Sequence, residues 1–141
     1  MSPQPENSFK ASTLKFGRFG EDMAVTHLKK RGYRVICRNF TAPIGRNQKG
    51  RIVRGEIDIV ALSEDGYVCF VEVKTRKISG NDPLEAVIGQ KRKRISKTAD
   101  VFCRQFGIEK SKMRFDAIGV TQVSTGAPTI VHEIGYWRAD R

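Results

Sequence analysis

Gly55–Val60 reads GEIDIV and Phe70–Lys74 reads FVEVK, and these two short stretches decide the fold. Each alternates apolar and charged residues, which is the period-two pattern of a β-strand with one buried face. Between them, Ser63–Gly66 reads SEDG and ends in the Asp-Gly pair typical of a tight hairpin turn. The sequence therefore predicts two antiparallel strands, over Gly55–Leu62 and Tyr67–Lys74. Four apolar residues are expected to share one face of this hairpin: Ile57, Ile59, Val71 and Val73.

The register of the hairpin brings two acidic residues together. With the turn at Ser63–Gly66, Asp58 falls opposite Glu72, and the next position on that face sets Glu56 opposite Lys74. Directly opposed side chains have β-carbons about 4.5–5.5 Å apart, and like charges at that distance destabilise a sheet. A divalent cation between the two carboxylates is the most economical remedy. Hard oxygen ligands without cysteine or histidine favour Mg²⁺ or Mn²⁺.

Lys74 follows Glu72 at a spacing of two and is expected on the same face of the strand. An ammonium group there can orient a water molecule and stabilise developing negative charge on a phosphate, which is the chemistry of phosphodiester hydrolysis. The simpler interpretation is a solvated strand face on which Glu56 and Lys74 form an ordinary ion pair.

The length, charge and cysteine content limit the classes of function that fit this sequence. The 141 residues fit one domain, and a formal net charge of +11 with a pI near 10.0 favours polyanionic partners such as nucleic acid, an anionic membrane face or a ribosome-like assembly. No signal peptide or membrane-spanning run is visible, so a cytoplasmic location is expected. The three scattered cysteines are expected to be buried free thiols, without the spacing of a zinc site.

The remaining periodicities predict an α/β fold with one mixed sheet flanked by helices. Residues 1–14 are expected to form a flexible tail and residues 15–141 a single domain. The other predicted elements are a helix over Lys15–Arg31, a strand over Tyr33–Phe40, a loop over Thr41–Arg54, a helix over Leu84–Phe106, and strands over Met113–Val120 and Thr129–Ile134.

Taken together, the motifs resemble a known family. Asp58, then Glu72-x-Lys74 across a hairpin, resembles the signature of PD-(D/E)xK nucleases. The wider pattern resembles the YraN-like bacterial family, which is similar to archaeal Holliday-junction resolvases. That pattern comprises Gly20-Glu21, Gly55–Asp58, Phe70–Arg76, Ala86-Val87 with Lys91, and Arg114-Phe115-Asp116. The resemblance covers about residues 15–135 and implies a restriction-endonuclease-like fold.

The resemblance also implies roles for individual residues. Asp58 and Glu72 would bind Mg²⁺ or Mn²⁺, with the backbone carbonyl of Val73 as a further ligand, and Lys74 would be the catalytic lysine. Glu21 would add a carboxylate, and either Gln90 or Lys91 would contact the water or the scissile phosphate.

Three acidic residues have simpler interpretations as well. Glu21 could be a first-turn acid stabilised by the helix dipole. Glu56 is expected to brace Lys74 rather than to bind metal, and Asp116 is expected to anchor Arg114 or a neighbouring loop.

Basic residues cluster in three segments around the predicted acidic site. Nucleic-acid binding through such residues is largely independent of base sequence, because lysine and arginine contact the phosphates. The family usually passes quickly from the first strand into GEID, whereas the longer Thr41–Arg54 segment here could be a substrate-contacting arm or a disordered insertion. The residues expected to contact nucleic acid are Arg46, Lys49, Arg51, Arg54, Arg76, Lys77, Lys91, Arg92, Lys93 and Arg94.

The leading hypothesis is a metal-dependent endonuclease that acts on branched, flapped or single-stranded DNA in repair or recombination. The alternatives are a non-catalytic nucleic-acid-binding module with a vestigial acidic site, and a basic protein that docks an acidic partner. A homodimer would suit cleavage of a symmetric junction, although no residue pattern demands one.

Overall fold

The computed structural model describes residues 5–76, 90–122 and 126–138. Its elements run in the predicted order of helix, three strands, helix and two strands. They are α1 (Pro5–Lys30), β1 (Arg34–Arg46), β2 (Ile52–Leu62), β3 (Val68–Arg76), α2 (Gln90–Phe106), a short 3₁₀ turn (Lys110–Lys112), β4 (Met113–Thr121) and β5 (Thr129–Trp137).

Within the described residues the strands form one five-stranded sheet in the order β1-β2-β3-β4-β5. Strands β3 and β4 are parallel, because α2 lies between them in the chain, and the other neighbouring strands are antiparallel. This is the mixed sheet flanked by helices that the sequence predicted, and it matches a restriction-endonuclease-like arrangement.

Each helix covers one face of the sheet. Helix α1 contributes Ala24 and Leu28 to a buried cluster with strand residues such as Val71. Helix α2 contributes Phe102 to the opposite cluster, which includes Phe70 from the neighbouring position of β3. Because successive strand residues point to opposite faces, Phe70 and Val71 divide the core between the two helices.

The side chains of β1 and β2 exchange faces halfway along the two strands. Ile59 packs on the α1 side, but Ile57 packs on the α2 side, so the prediction that Ile57 shares a face with Ile59 was wrong. At the change, Asn39 lies between the pairs Arg38–Ile59 and Phe40–Ile57 and has a left-handed backbone with φ of 54°. That departure from strand geometry breaks the regular alternation on which the prediction depended.

The predicted loop over Thr41–Arg54 is instead an extension of the sheet, which we call the hairpin arm. Strand β1 continues to Arg46, β2 begins at Ile52, and the Asn47 side chain accepts hydrogen bonds from the amides of Lys49 (2.9 Å) and Arg51 (3.0 Å). A register shift between Pro43 and Gly45 breaks the apolar alternation, so the sequence shows no strand period there.

The helix boundaries were predicted less well than the strands. Helix α1 begins at Pro5, inside the segment predicted as a tail and well before Lys15. The predicted start of α2 at Leu84 lies outside the described residues. Helix α2 ends at Phe106 as predicted, and Gly107 follows it with φ of 67°, while the Ile108 amide donates to the Cys103 carbonyl at 2.9 Å.

Two compositional predictions can be compared with the structure. No described helix is both long enough and apolar enough to cross a membrane. All three cysteines are free thiols, as predicted, but only Cys69 and Cys103 are buried, whereas Cys37 is half-buried.

Candidate metal and nucleic-acid site

The predicted acidic pair lies in a fork where β2 and β3 separate. The β2–β3 ladder has the predicted register, with Leu62 opposite Val68, and its last pair is Ile59 with Val71. Beyond that pair the two strands are joined through side chains. The amide of Val73 donates to Asp58 Oδ2 at 2.8 Å, and the amide of Asp58 points at Glu72 Oε1 at 3.4 Å.

The separation of β2 and β3 gives Asp58 and Glu72 a structural role at this point. Strand amides that lose their ladder partner must find another acceptor, since an unpaired buried amide is costly. The Asp58 carboxylate takes that position for Val73, and the Glu72 side chain, which is 4% exposed, fills the space beside it. The prediction that Asp58 and Glu72 approach each other is confirmed by these contacts.

Both carboxyl groups are harder to ionise than usual. Burial, followed by the charge of Asp58, raises the pKa of Glu72 well above its ordinary value. Burial also raises the pKa of Asp58, although the hydrogen bond from the Val73 amide opposes the change. The two carboxyls are close enough to share a hydrogen bond, so a proton held between them relieves the repulsion of their charges.

One lysine, Lys91, contacts the acidic pair, and a second, Lys74, lies close to Glu72 in the sequence. Lys91, in the first turn of α2, places its Nζ 3.9 Å from Glu72 Oε2, so the residue expected to meet a phosphate already faces the acidic pair. Lys74 is half-buried on β3, two residues beyond Glu72. Among the described residues Lys74 forms no ion pair with Glu56, so the expected bracing contact is not made. The side chain of Gln90 is outside the described part of the chain.

Glu21 faces the fork from α1. Burial, then the charge of Asp58, raises the pKa of Glu21, which places this carboxylate within electrostatic reach of the pair. Its Oε2 is 3.4 Å from Arg38 Nη2, and the same guanidinium lies 2.9 Å from Asp22. Sequence reasoning missed Arg38, because nothing in the local pattern relates β1 to α1.

A close helix–strand approach positions Glu21. A β-carbon added at Gly20 would collide with the side chain of Thr75, so α1 rests directly on β3 one residue from Glu21. The absence of a side chain at Gly20 thus lets α1 approach β3 closely enough for Glu21 to reach the fork.

The predicted basic residues divide into three groups. Those whose side chains are exposed are Arg46, Lys49, Arg51 and Arg54 on the hairpin arm, and Lys91, Lys93 and Arg94 on α2. Arg92 is half-buried, with its guanidinium 5.5 Å and 5.7 Å from the ring centres of Tyr136 and Trp137. Arg76 is also half-buried, and Lys77 lies outside the described residues. Arg92 therefore packs against β5 instead of facing solvent as expected for a phosphate contact.

Asp116 is fully buried and anchors its surroundings, as expected from the sequence. Its Oδ1 accepts hydrogen bonds from Arg114 Nε and from the Gly135 amide, each at 3.0 Å. It lies on the α1 face of β4, whereas Glu72 lies on the α2 face of β3, so Asp116 belongs to a different cluster from the acidic pair.

The donor set of the fork suits a hard divalent cation. Asp58 and Glu72 offer carboxylate oxygens, and Glu72 already attracts one positive group, the ammonium of Lys91. In an extended strand the amide and carbonyl of one residue point to the same side, so the carbonyl of Val73, whose amide reaches Asp58, is also directed toward β2. Within the described ranges, however, no three acidic, histidine or cysteine side chains are grouped closely enough to hold a metal by themselves.

Comparisons with known proteins place this chain among bacterial relatives. The family described as "Uncharacterised protein family UPF0102" matches residues 20–120. A "UPF0102 protein" of Prosthecochloris aestuarii is 44% identical over 106 residues, covering 74% of each chain. A second, from Geobacter sulfurreducens, is 41% identical over 114 residues and covers 80% of each chain. A third, from Pseudarthrobacter chlorophenolicus, is 36% identical over 134 residues, covering 93% of this chain and 92% of its own.

Proposed function

The chain belongs to the uncharacterised protein family UPF0102, which is the YraN-like family, and we propose that it is a metal-dependent endonuclease acting on structured DNA. The observation that carries the proposal is the pair formed by half-buried Asp58 and buried Glu72 in the β2–β3 fork, with Lys74 two residues along β3. Two adjoining carboxylates with raised pKa values are typical of functional sites rather than of sheet packing.

Asp58, Glu72 and the carbonyl of Val73 would hold the cation, Mg²⁺ or Mn²⁺. Such an ion supplies Lewis acidity toward a phosphate oxygen and lowers the pKa of water. Lys74 would orient the attacking water and stabilise charge that develops on the phosphate. Glu21 would add negative charge at the rim, and Arg38 keeps that carboxylate in place.

We infer that the partner is nucleic acid from the positive charge around the fork. Lys91 of α2 contacts Glu72, further exposed cations follow it in the first turns of α2 and lie along the hairpin arm that continues β2 beyond Asp58, and the chain carries a net charge of +11. Contacts of this kind follow phosphates without reading base sequence, so the substrate would be chosen by shape, as in branched, flapped or single-stranded DNA in a cytoplasmic repair or recombination reaction.

A non-catalytic nucleic-acid-binding module is the second candidate. It is favoured by the ion pair of Glu21 with Arg38 and by the absence of a three-carboxylate group among the described residues. In that case the basic surface would bind DNA, and the acidic pair would only complete the hydrogen bonding of the fork.

Cleavage of labelled duplex, single-stranded, flapped, forked and four-way DNA, in EDTA, Mg²⁺ or Mn²⁺, separates the two candidates. Wild type is compared with Glu72→Gln and Lys74→Ala, and exposed Glu109→Gln and Lys29→Ala serve as matched controls. We expect metal-dependent cleavage that falls at least about 100-fold in both site variants and persists in the controls. DNA binding by wild type without cleavage of any substrate would establish the binding module instead.

A further inference from the structure

A second polar cluster lies on the α1 face of the sheet, away from the acidic fork. It joins His27 of α1, Asp116 of β4 and His132 of β5. His27 Nε2 is 3.2 Å from His132 Nδ1, and His132 Nε2 is 2.9 Å from Asp116 Oδ2. Three separate elements therefore meet in one chain of hydrogen bonds.

The protonation states of the residues in this hydrogen-bond chain follow from Asp116. Burial alone would raise its pKa, but the hydrogen bonds from His132 and Arg114 lower the pKa below its ordinary value, so Asp116 is a carboxylate that only accepts. His132 Nε2 must then donate to it. A neutral His132 consequently has its lone pair on Nδ1, which faces His27.

The two facing nitrogens have the separation of ligands on one metal ion. Histidine nitrogens bind Zn²⁺ at about 2.0–2.1 Å, which sets two ligands of a tetrahedral site roughly 3.3 Å apart. The observed separation is 3.2 Å. A carboxylate on the far nitrogen of a histidine is the usual support for a metal-binding imidazole, and Asp116 supplies it.

Room for the remaining ligands exists beside the histidines. Both rings line a cavity of about 600 Å³ whose wall holds two cationic side chains, Arg31 and Arg114, and two acidic ones, Glu64 and Asp65. Burial, followed by the proximity of His132 and Arg31, lowers the pKa of His27, which favours the neutral ring that a metal ligand must have.

We propose that His27 Nε2 and His132 Nδ1 bind a borderline transition-metal ion of the Zn²⁺ class, with water from the adjoining cavity completing its coordination and Asp116 positioning His132. The site differs in chemistry from the acidic fork, because imidazole nitrogens favour Zn²⁺ whereas carboxylate and carbonyl oxygens favour Mg²⁺. It would tie the end of α1 to the edge strand β5.

Calorimetric titration of the EDTA-treated full chain with Zn²⁺, at pH 7.5 without Mg²⁺, tests the proposal. Wild type and the fork variant Asp58→Asn/Glu72→Gln should each bind one Zn²⁺ at this site. His27→Gln, whose fold is checked by circular dichroism, should lose that binding, and Asp116→Asn should weaken it about 10- to 100-fold. Zn²⁺ binding that persists in His27→Gln, or that disappears only in the fork variant, would overturn the proposal.

Nitrogen NMR of the histidine rings provides a second measurement that needs no substitution. In wild-type protein Zn²⁺ should shift His27 Nε2 and His132 Nδ1 strongly, while His132 Nε2 keeps its proton and its hydrogen bond to Asp116. Resonances that do not change at saturating Zn²⁺ would show that the three residues are a structural hydrogen-bond chain only. Either result is independent of whether the acidic fork cleaves DNA.

Discussion

At the scale of single residues, two opposing influences act on Asp58. Its carboxylate accepts the Val73 amide, which favours the ionised form, whereas burial disfavours that form. Burial and the charge of Asp58 in turn oppose ionisation of the buried Glu72. The Val73 amide at the fork is thus hydrogen-bonded, but ionisation of the two carboxyl groups remains unfavourable. Binding of a cation would stabilise the ionised carboxylates.

The pH dependence of stability follows from the raised pKa of Glu72. The folded protein retains a proton that the unfolded chain releases above its ordinary pKa of 4.5, so the contribution of this group is complete below that pH and is lost as pH rises toward the raised pKa. Glu72→Gln removes the titration. In EDTA the variant should be more stable than wild type near pH 8, by roughly 1 kcal/mol, and little different near pH 4.

Thermal unfolding of both proteins between pH 4 and pH 8 measures this difference. Added Mg²⁺ should raise the Tm of wild type at high pH but leave that of Glu72→Gln almost unchanged. Parallel pH profiles in EDTA would contradict the electrostatic account of the fork.

At the scale of elements, the contact between α1 and β3 determines how far Glu21 reaches. Gly20→Ala would drive a β-carbon into Thr75, and the helix would have to move outward. We expect a loss of roughly 1–3 kcal/mol in the free energy of unfolding, as for other overpacked sites, together with weaker Mg²⁺ binding.

Gly17→Ala is a matched control for that substitution in the same helix. A β-carbon at Gly17 has no neighbour within 4 Å, so alanine should stabilise the protein by up to about 1 kcal/mol through its helix propensity. Denaturant unfolding of the two variants measures both effects. A stabilised Gly20→Ala would show that α1 does not rest on β3 at this point.

The same scale shows which features the sequence could predict. The β2–β3 hairpin was predictable because the alternation and the Asp-Gly turn agree, and these two alone bring Asp58 to Glu72. The arm was not, since the register shift at Pro43–Gly45 hides its strand pattern. The ion pair of Arg38 with Glu21 and the packing of Arg92 on Trp137 depend on how distant elements pack, which no local period records.

At the scale of the whole molecule, positive charge surrounds the acidic fork. The exposed cations of the hairpin arm and of the first turns of α2 lie at the end of the sheet where β2 and β3 separate. An incoming phosphate backbone would be drawn to that end, while Asp58 and Glu72 repel it until a cation is bound. Binding and cleavage should therefore respond to different parts of the surface.

Replacing two cations of the arm, Lys49→Ala with Arg51→Ala, should weaken DNA binding and make it less dependent on salt. Each lost phosphate contact reduces the slope of log K against log salt by about 0.9 for duplex DNA. The same change at Lys29 and Lys30, at the far end of α1, should leave the slope as in wild type. Fluorescence anisotropy over a salt series in EDTA gives both slopes, and equal effects of the two pairs would show that the arm is not a binding surface.

The exchange of faces at Asn39 and Asp58 also bears on how the protein can vary. Residues added or removed at the tip of the arm, near Asn47–Gly50, change only a projecting ribbon, because the strand pairs on the near side keep their register. A single residue added between Asp58 and Leu62 would turn every following side chain of β2 to the wrong helix. Changes in the length of the arm therefore leave the two acids behind it undisturbed, and under the proposed function they would adjust how much of a nucleic acid the arm spans.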